Sequence, residues 1–379
     1  MVADAEPQRI ARLTPLAEVL DSLQIAVEPA VPFETGVFAA VGLTLAADAV
    51  VTYDRPPLAL ALRDGYAVCS EMTADAGGYA PARLDPAPER VDLGEPLPTG
   101  VDAVAPLDVV AWSGGRAEAL APIAPGDGVL SAGADAAAGM VLGPVGARLR
   151  RIDAAALLAV GIERVAVRRP RLRVVCASEG TTVEAAVGFV SEAIEAEGGR
   201  AMVEPVPLGV SLSTDDCDAI VAIGGTGSGS NDRSVVVLEK AGRVAFHGIA
   251  ISPGETTALG FVGSRPVLLL PGRLDAAVAG WLLIGRPLLA RLAFRLVEEE
   301  PFTAELSRKV ASPLGLTEVV PVCRRLGTVE PLGASYLAPQ ALTRSNGWIL
   351  VPADSEGFPP GAQIPVWSWH EHATANHPD

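Results

Sequence analysis

Gly224, Gly225, Thr226, Gly227, Ser228, Gly229 and Ser230 form an unbroken run of glycine and hydroxyl residues between an apolar strand pattern, DAIVAI, and a helix pattern, SVVVLEK. Glycine lets backbone amides approach a ligand closely, and a helix start adds partial positive charge, so the run has the chemistry of an anion site. It is not GxGxxG, and without GK[ST] it is not a Walker A loop. The helix is expected to begin near Asn231 or Asp232. A carboxylate at Asp232 repels a phosphate unless it caps that helix or holds a cation such as Mg²⁺. The plainer alternative is a tight strand-to-helix turn with Asp232 as its N-cap.

A second loop, HGIAISPGETTALG, follows His247, which reads as a hydrogen-bonded structural histidine. Its Ser252, Pro253, Gly254, Glu255 and Thr256 offer amides and hydroxyls but no cation. A third, LLLPGRLDAA, offers Arg273 after Pro271 and Gly272. All three lie at strand ends, where open parallel sheets bind ligands.

The elements that must carry these loops follow from periodicity. A helix is expected behind Thr14 and Pro15, with Leu16, Val19, Leu20 and Leu23 on one face, and a second helix-like run covers residues 38–45. Residues 51–147 show brief apolar stretches broken by Gly, Pro and Asp, the texture of a β-rich lobe. An alternating βα region then opens: strand LRVVCAS, a helix with Val183, Val187, Val190 and Ile194 on one face ending at Gly198 and Gly199, strand DAIVAI, helix SVVVLEK and strand RPVLLL. A long helix follows, kinked before Pro287. This alternation predicts a mostly parallel sheet covered on both faces. Residues 301–370 return to short strands, and residues 371–379 read as a disordered tail whose HEH tripeptide is solvated. The domain reading is 1–50 with 148–168 as an elongated N-terminal part, 51–147 as the lobe, 169–300 as the α/β domain and 301–370 as a C-terminal β domain.

Composition bounds the function. The chain has 379 residues, 49% hydrophobic, with a formal charge of −16, which disfavours DNA or RNA as a partner. Only Lys240 and Lys309 are lysines, so nearly every cation is an arginine. Cys69, Cys176, Cys217 and Cys323 are widely spaced and read as buried thiols, suggesting neither zinc nor disulfides. The acidic start lacks an apolar signal core, and the longest apolar stretch, residues 276–284, is far shorter than a membrane span. A cytoplasmic protein that does not enter a membrane is expected.

The order DGYAV, GEPLPTGVDAV, GGTGSGSND, SPGETTALG and LPG before a helix closely resembles the MoeA family of molybdopterin molybdenumtransferases, which includes the gephyrin E domain. The resemblance covers almost the whole chain. It implies a molybdopterin-binding α/β domain, an elongated N-terminal part, a β-rich lobe, a small C-terminal β domain and a homodimer whose site faces the partner's lobe. It also implies that molybdopterin, free or adenylylated, is held by residues 224–230 with Ser178, Ser252, Pro253, Gly254, Pro271, Gly272 and Arg273, and that Asp232 and Asp64 are the surviving catalytic carboxylates, Asp232 with Mg²⁺.

The departures set the expected function. Where the family has a motif close to DNSAMDGYA, this chain has ALALRDGYA, so the metal-side Asp becomes Ala59, Asn becomes Leu60 and Ser becomes Ala61. A threonine becomes Leu93. STGDE becomes ASEGTT, KPGKP becomes SPGET, and PGNP becomes PGRL. Ser252 and Glu255 replace two lysines, and such a change costs several kcal/mol toward an oxyanion in a dry site. Arg233, Arg265 and Arg273 are the candidates for compensation, though arginine is not an equivalent point charge. The expectation is a divergent paralogue that binds molybdopterin, or its adenylylated or molybdenum form, with molybdate insertion lost, serving a molybdoenzyme or another cofactor-biosynthesis protein. The alternatives are an active transferase with a rearranged site and a non-catalytic dimeric scaffold, with Leu60 and Leu62 as an apolar patch for a partner.

Overall fold

The structure is a computed structural model and describes residues 8–296, 301–325 and 327–369. The helix predicted behind Pro15 spans Leu16–Ala26 and buries Val19 and Leu23. Residues 38–45 are not helical: they form consecutive turns leading into the strand Thr44–Leu45. Gly42 ends the turn at φ +87°, and so short a run is too little to nucleate a helix without tertiary support. That short strand joins Phe33–Gly36 on either side of Arg164–Arg168, tying the chain's start to the segment after the lobe.

The lobe contains two three-stranded antiparallel sheets, Gly65–Val68 between Glu89–Val91 and Ala103–Pro106, and Arg116–Ala119 between Ala82–Leu84 and Val110–Ser113. In the C-terminal region Phe302–Leu306, Thr317–Arg325, Thr328–Pro331, Gly347–Val351 and Gln363–Ser368 close on themselves, because Thr317–Arg325 pairs with both Thr328–Pro331 and Gly347–Val351. Closure leaves that barrel without an unpaired edge.

The α/β domain is built from β1 (Arg171–Cys176), α1 (Thr181–Ala196), β2 (Arg200–Val203), β3 (Ala219–Ile223), α2 (Ser234–Ala241), β4 (Arg243–His247), β5 (Ala258–Val262), β6 (Arg265–Leu270) and α3 (Leu274–Ala293). The strand order is β2-β1-β3-β6-β5-β4, with β2, β1, β3 and β6 parallel and β5 antiparallel to both neighbours. Each central strand is apolar on both sides. Val174, Val221, Leu268 and Leu270 pack with Val183, Val190 and Ile194 of α1 and Trp281 of α3, while Ile220, Ala222, Val267 and Leu269 pack with Val235 and Leu238 of α2. Two apolar faces per strand are what a parallel sheet between helical layers demands.

α3 is continuous through Pro287. Its middle, Trp281–Gly285, winds as a π-turn, which widens the helix where proline cannot donate to the preceding turn. At 20 residues and mean hydropathy 1.4 it is long and apolar enough to cross a membrane, contrary to the reading from residues 276–284. The isolated arginines and Pro287 do not interrupt the helix, so the apolar stretch alone understated its length. Its apolar window is 78% buried against the sheet, which makes it the core helix of this domain.

Candidate functional site

The chain moves from β1 through α1 to β2 on one side, and from β3 through α2 toward β4 on the other. A crevice therefore opens between the carboxyl ends of β1 and β3, where such sheets hold ligands. The loops after these strands meet there. A Cβ at Gly224 would overlap the Ser178 hydroxyl, and one at Gly272 would lie 3.4 Å from Gly224 Cα and 3.5 Å from Ser178 Oγ. Gly224 is glycine for a second reason, its φ of +105°. Its amide donates to Leu270 O at 2.8 Å, joining the Gly-rich loop to the end of β6.

The structure thus brings together Ser178, Gly224, Gly225, Thr226, Gly227 and Gly272. Gly224, Gly225 and Thr226 are buried at the root of the loop, whereas Ser228, Gly229 and Ser230 are exposed at its tip. Thr226 Oγ1 lies 2.9 Å from Thr256 Oγ1, and His247 Nε2 donates to Thr226 O at 3.0 Å. Those bonds attach the loop after β4 to the same cluster. Pro271 is buried and Arg273 exposed.

Helix α2 does not start at Asn231 or Asp232. Its first residue is Ser234, the N-cap position is Arg233, and no side chain there supplies a cap. Asp232 instead turns back, with Oδ2 accepting from Gly229 N at 2.9 Å. The helix is capped from 227 residues away: Gln8, 7% exposed, accepts from Val235 N at 2.8 Å and Val236 N at 3.2 Å through Oε1. No sequence signal marks Gln8, because a glutamine distant in the chain carries no capping periodicity. Two of the amides expected to face an anion are therefore occupied by this side chain.

Charge at the crevice is largely cancelled. Arg273 donates to Asp275 at 3.1 and 2.6 Å, and its guanidinium lies 5.5 Å from the Tyr336 ring of the C-terminal region. The hydrogen bonds to Asp275 hold Arg273 above its ordinary pKa, with burial opposing. Asp275 is 3% exposed, at the second position of α3, where the helix start favours its charge. Arg233 is exposed beside the loop. Arg265 cannot compensate: it begins β6, a central strand, at the amino end opposite the crevice, and donates to Leu212 O at 2.8 Å.

Ser252, Pro253 and Gly254 are all buried. Ile251–Ser252 pairs in parallel with Thr317–Glu318, so this loop is stitched into the C-terminal barrel. Glu255 folds onto its own turn, accepting from Gly254 N at 3.1 Å. Asp64 is exposed in the lobe and accepts from Leu93 N at 2.8 Å, a bond that holds the lobe's own turn. Leu62, Leu58 and Leu93 are exposed, and Leu60 is half-buried between residues 129–130 and Pro96. Among the cysteines only Cys217 is buried: Cys176 ends β1 exposed, and Cys69 and Cys323 are half-buried. Strand ends and barrel rims place those three thiols near the surface. The HEH tripeptide lies outside the described residues.

Asp232 has a single oxygen left for a divalent cation. One of its oxygens is committed to the Gly229 amide, and among the described residues no three His, Cys, Asp or Glu side chains gather as a metal site. Mg²⁺ binding asks for carboxylates with free oxygens beside the substrate's phosphates.

Three family models match in chain order: the MoeA N-terminal region (domain I and II) over residues 11–161, a probable molybdopterin binding domain over residues 189–291, and the MoeA C-terminal region (domain IV) over residues 303–369. Molybdopterin molybdenumtransferase 2 of Mycobacterium tuberculosis is 26% identical over 381 residues, 86% of this chain and 92% of that protein. A putative molybdopterin biosynthesis protein of Methanocaldococcus jannaschii is 29% identical, but the match spans 43% of this chain and 39% of that protein. A crystal structure of the Pyrococcus horikoshii molybdopterin biosynthesis MoeA protein superposes with a TM-score of 0.79 at 26% identity, covering 94% of this chain and 99% of that one.

Proposed function

The chain belongs to the MoeA family of molybdenum cofactor biosynthesis and carries its molybdopterin-binding domain, and on that premise we propose that it binds molybdopterin or the adenylylated form without inserting molybdate. The observation that carries this reading is the charge at the crevice. A phosphate is met by the Gly-rich loop between Thr226 and Ser230, with Arg233 at its side. Molybdate, a dianion, needs cations beyond those, since like charges in a partly desolvated site cost several kcal/mol.

Where the resemblance implies two lysines, this chain has buried Ser252 and the carboxylate of Glu255. The Arg273 guanidinium that could replace them is paired to Asp275. Asp232 holds the loop through the Gly229 amide. The chain's own residues bind and orient: loop amides and hydroxyls for the phosphate, Ser178 at the crevice floor, Arg273 and Tyr336 at its rim. A homodimer that sets a partner's lobe over this crevice, and handover to a molybdoenzyme, extend the same reading.

The reading is tested by titrating molybdopterin into the wild type and Gly227→Asp. Gly227 lies against the Asp232 carboxylate, so a second carboxylate there opposes an anion twice. Saturable binding in the wild type that is lost in a folded Gly227→Asp supports the assignment. Equal binding by both would reduce the loop to a turn.

A further inference from the structure

Gln8 touches the Gly-rich loop as well as the helix behind it. While Oε1 accepts from Val235 and Val236, Nε2 donates to Gly225 O at 3.1 Å and Gly227 O at 2.8 Å. His247 Nε2 donates to the carbonyl between them, Thr226 O. Three consecutive carbonyls are thus held by side chains from β4 and from the chain's beginning.

Those peptides are trans, since the cis bonds of the described chain lie at Pro56, Pro86 and Pro253. In a trans peptide the N–H points opposite to the C=O of the same plane. Fixing the carbonyls of Gly225, Thr226 and Gly227 therefore turns the amides of Thr226, Gly227 and Ser228 away from Gln8 and His247. Among the described residues none of these three amides has an acceptor, whereas those of Gly224, Gly229 and Asp232 do. Successive amides without acceptors are the donor set that receives an oxyanion.

We propose that Gln8 and His247 are positioning residues for molybdopterin recognition: they hold the loop carbonyls so that the amides of Thr226, Gly227 and Ser228 form the phosphate cradle. The inference rests on the function proposed above and names the donors of that site. It also accounts for a buried glutamine that spends all four of its bonds on one loop and one helix end.

Gln8→Glu separates this role from capping. A carboxylate still accepts from Val235 and Val236, and is favoured at a helix start, but it presents an acceptor to Gly225 O and Gly227 O. In full-length protein at about pH 8, where a carboxylate is ionised, backbone NMR is expected to show the Thr226, Gly227 and Ser228 amides shifting while Val235 and Val236 stay protected from exchange. Molybdopterin affinity is expected to fall about tenfold or more, the scale of losing one or two hydrogen bonds to an anion, in a protein that stays folded with a melting temperature a few degrees below that of the wild type. His247→Gln, which can still donate, is expected to retain affinity that His247→Leu loses. Unmoved loop amides in Gln8→Glu would overturn the proposal whether or not molybdopterin binds. Failure of the wild type to bind molybdopterin, with the amides shifting as described, would instead sink the function and leave the positioning intact.

Discussion

Asp275→Asn should strengthen anion binding while weakening the fold. The Asp275 carboxylate is buried and takes both guanidinium contacts of Arg273, whose side chain is 64% exposed. Solvent screening at Arg273 limits that pair to about 0.5–1 kcal/mol, and the loss of a carboxylate from the first turn of α3 adds about 0.5 kcal/mol. A domain of this size should then lose about 2–5 °C of melting temperature. The freed guanidinium, held at the rim by Tyr336, acts on an anion about 5 Å away at an effective dielectric near 60, which gives about 1 kcal/mol, roughly a fivefold tightening. Isothermal titration with AMP at low and high salt reads it, and the gain should shrink as salt rises. Unchanged or weaker affinity in a folded Asp275→Asn would refute the argument that Asp275 neutralises the site.

Gly224→Ala should cost about 2–4 kcal/mol, since its Cβ overlaps the Ser178 hydroxyl and its φ of +105° disfavours any side chain; urea unfolding measures it. Leu268→Ala, at a fully buried central-strand position, should cost about 2–5 kcal/mol in the same assay. In the lobe, hydrogen bonds from the Ser70 hydroxyl and then its amide hold Asp102 below its ordinary value of 3.8. A depressed folded pKa gives stability that is present above 3.8 and lost as pH falls through the lower folded value. Ser70→Ala should therefore be less stable than the wild type near neutrality, with the gap closing in acid; a gap that widens in acid would contradict the sign.

Much of the α/β domain was legible because its strands are apolar on both sides and its helices one-sided: α1 buries Val183, Val187, Val190 and Ile194 as their spacing demands. The Gly-rich loop at the crevice was legible from its run of glycines, of which Gly224 and Gly225 take positive φ. Residues 38–45 misled because apolar spacing over so short a run cannot tell a turn from a helix. Asp232 misled for a related reason, since an Asp before a helix looks like a cap even when Gln8 supplies the cap from elsewhere. Arg265, a candidate for compensation, begins β6, and the amino ends of the parallel strands lie away from the crevice, so its place in RPVLLL already set it apart from the ligand. The neutralisation of Arg273 by Asp275 was open to a reader of PGRLDAA, two residues apart at a helix start, had the pair been weighed as a unit.

The central claim, a MoeA-family crevice that holds the pterin but lacks the cations for molybdate, is tested most directly by one titration. Adenylylated molybdopterin is added to the purified full-length chain with Mg²⁺ and molybdate, and binding and AMP release are followed in the same sample. Saturable binding with no AMP released above the protein-free control is the expected result. AMP release that requires both Mg²⁺ and molybdate would contradict it and would show that the arginines at the crevice replace the missing lysines.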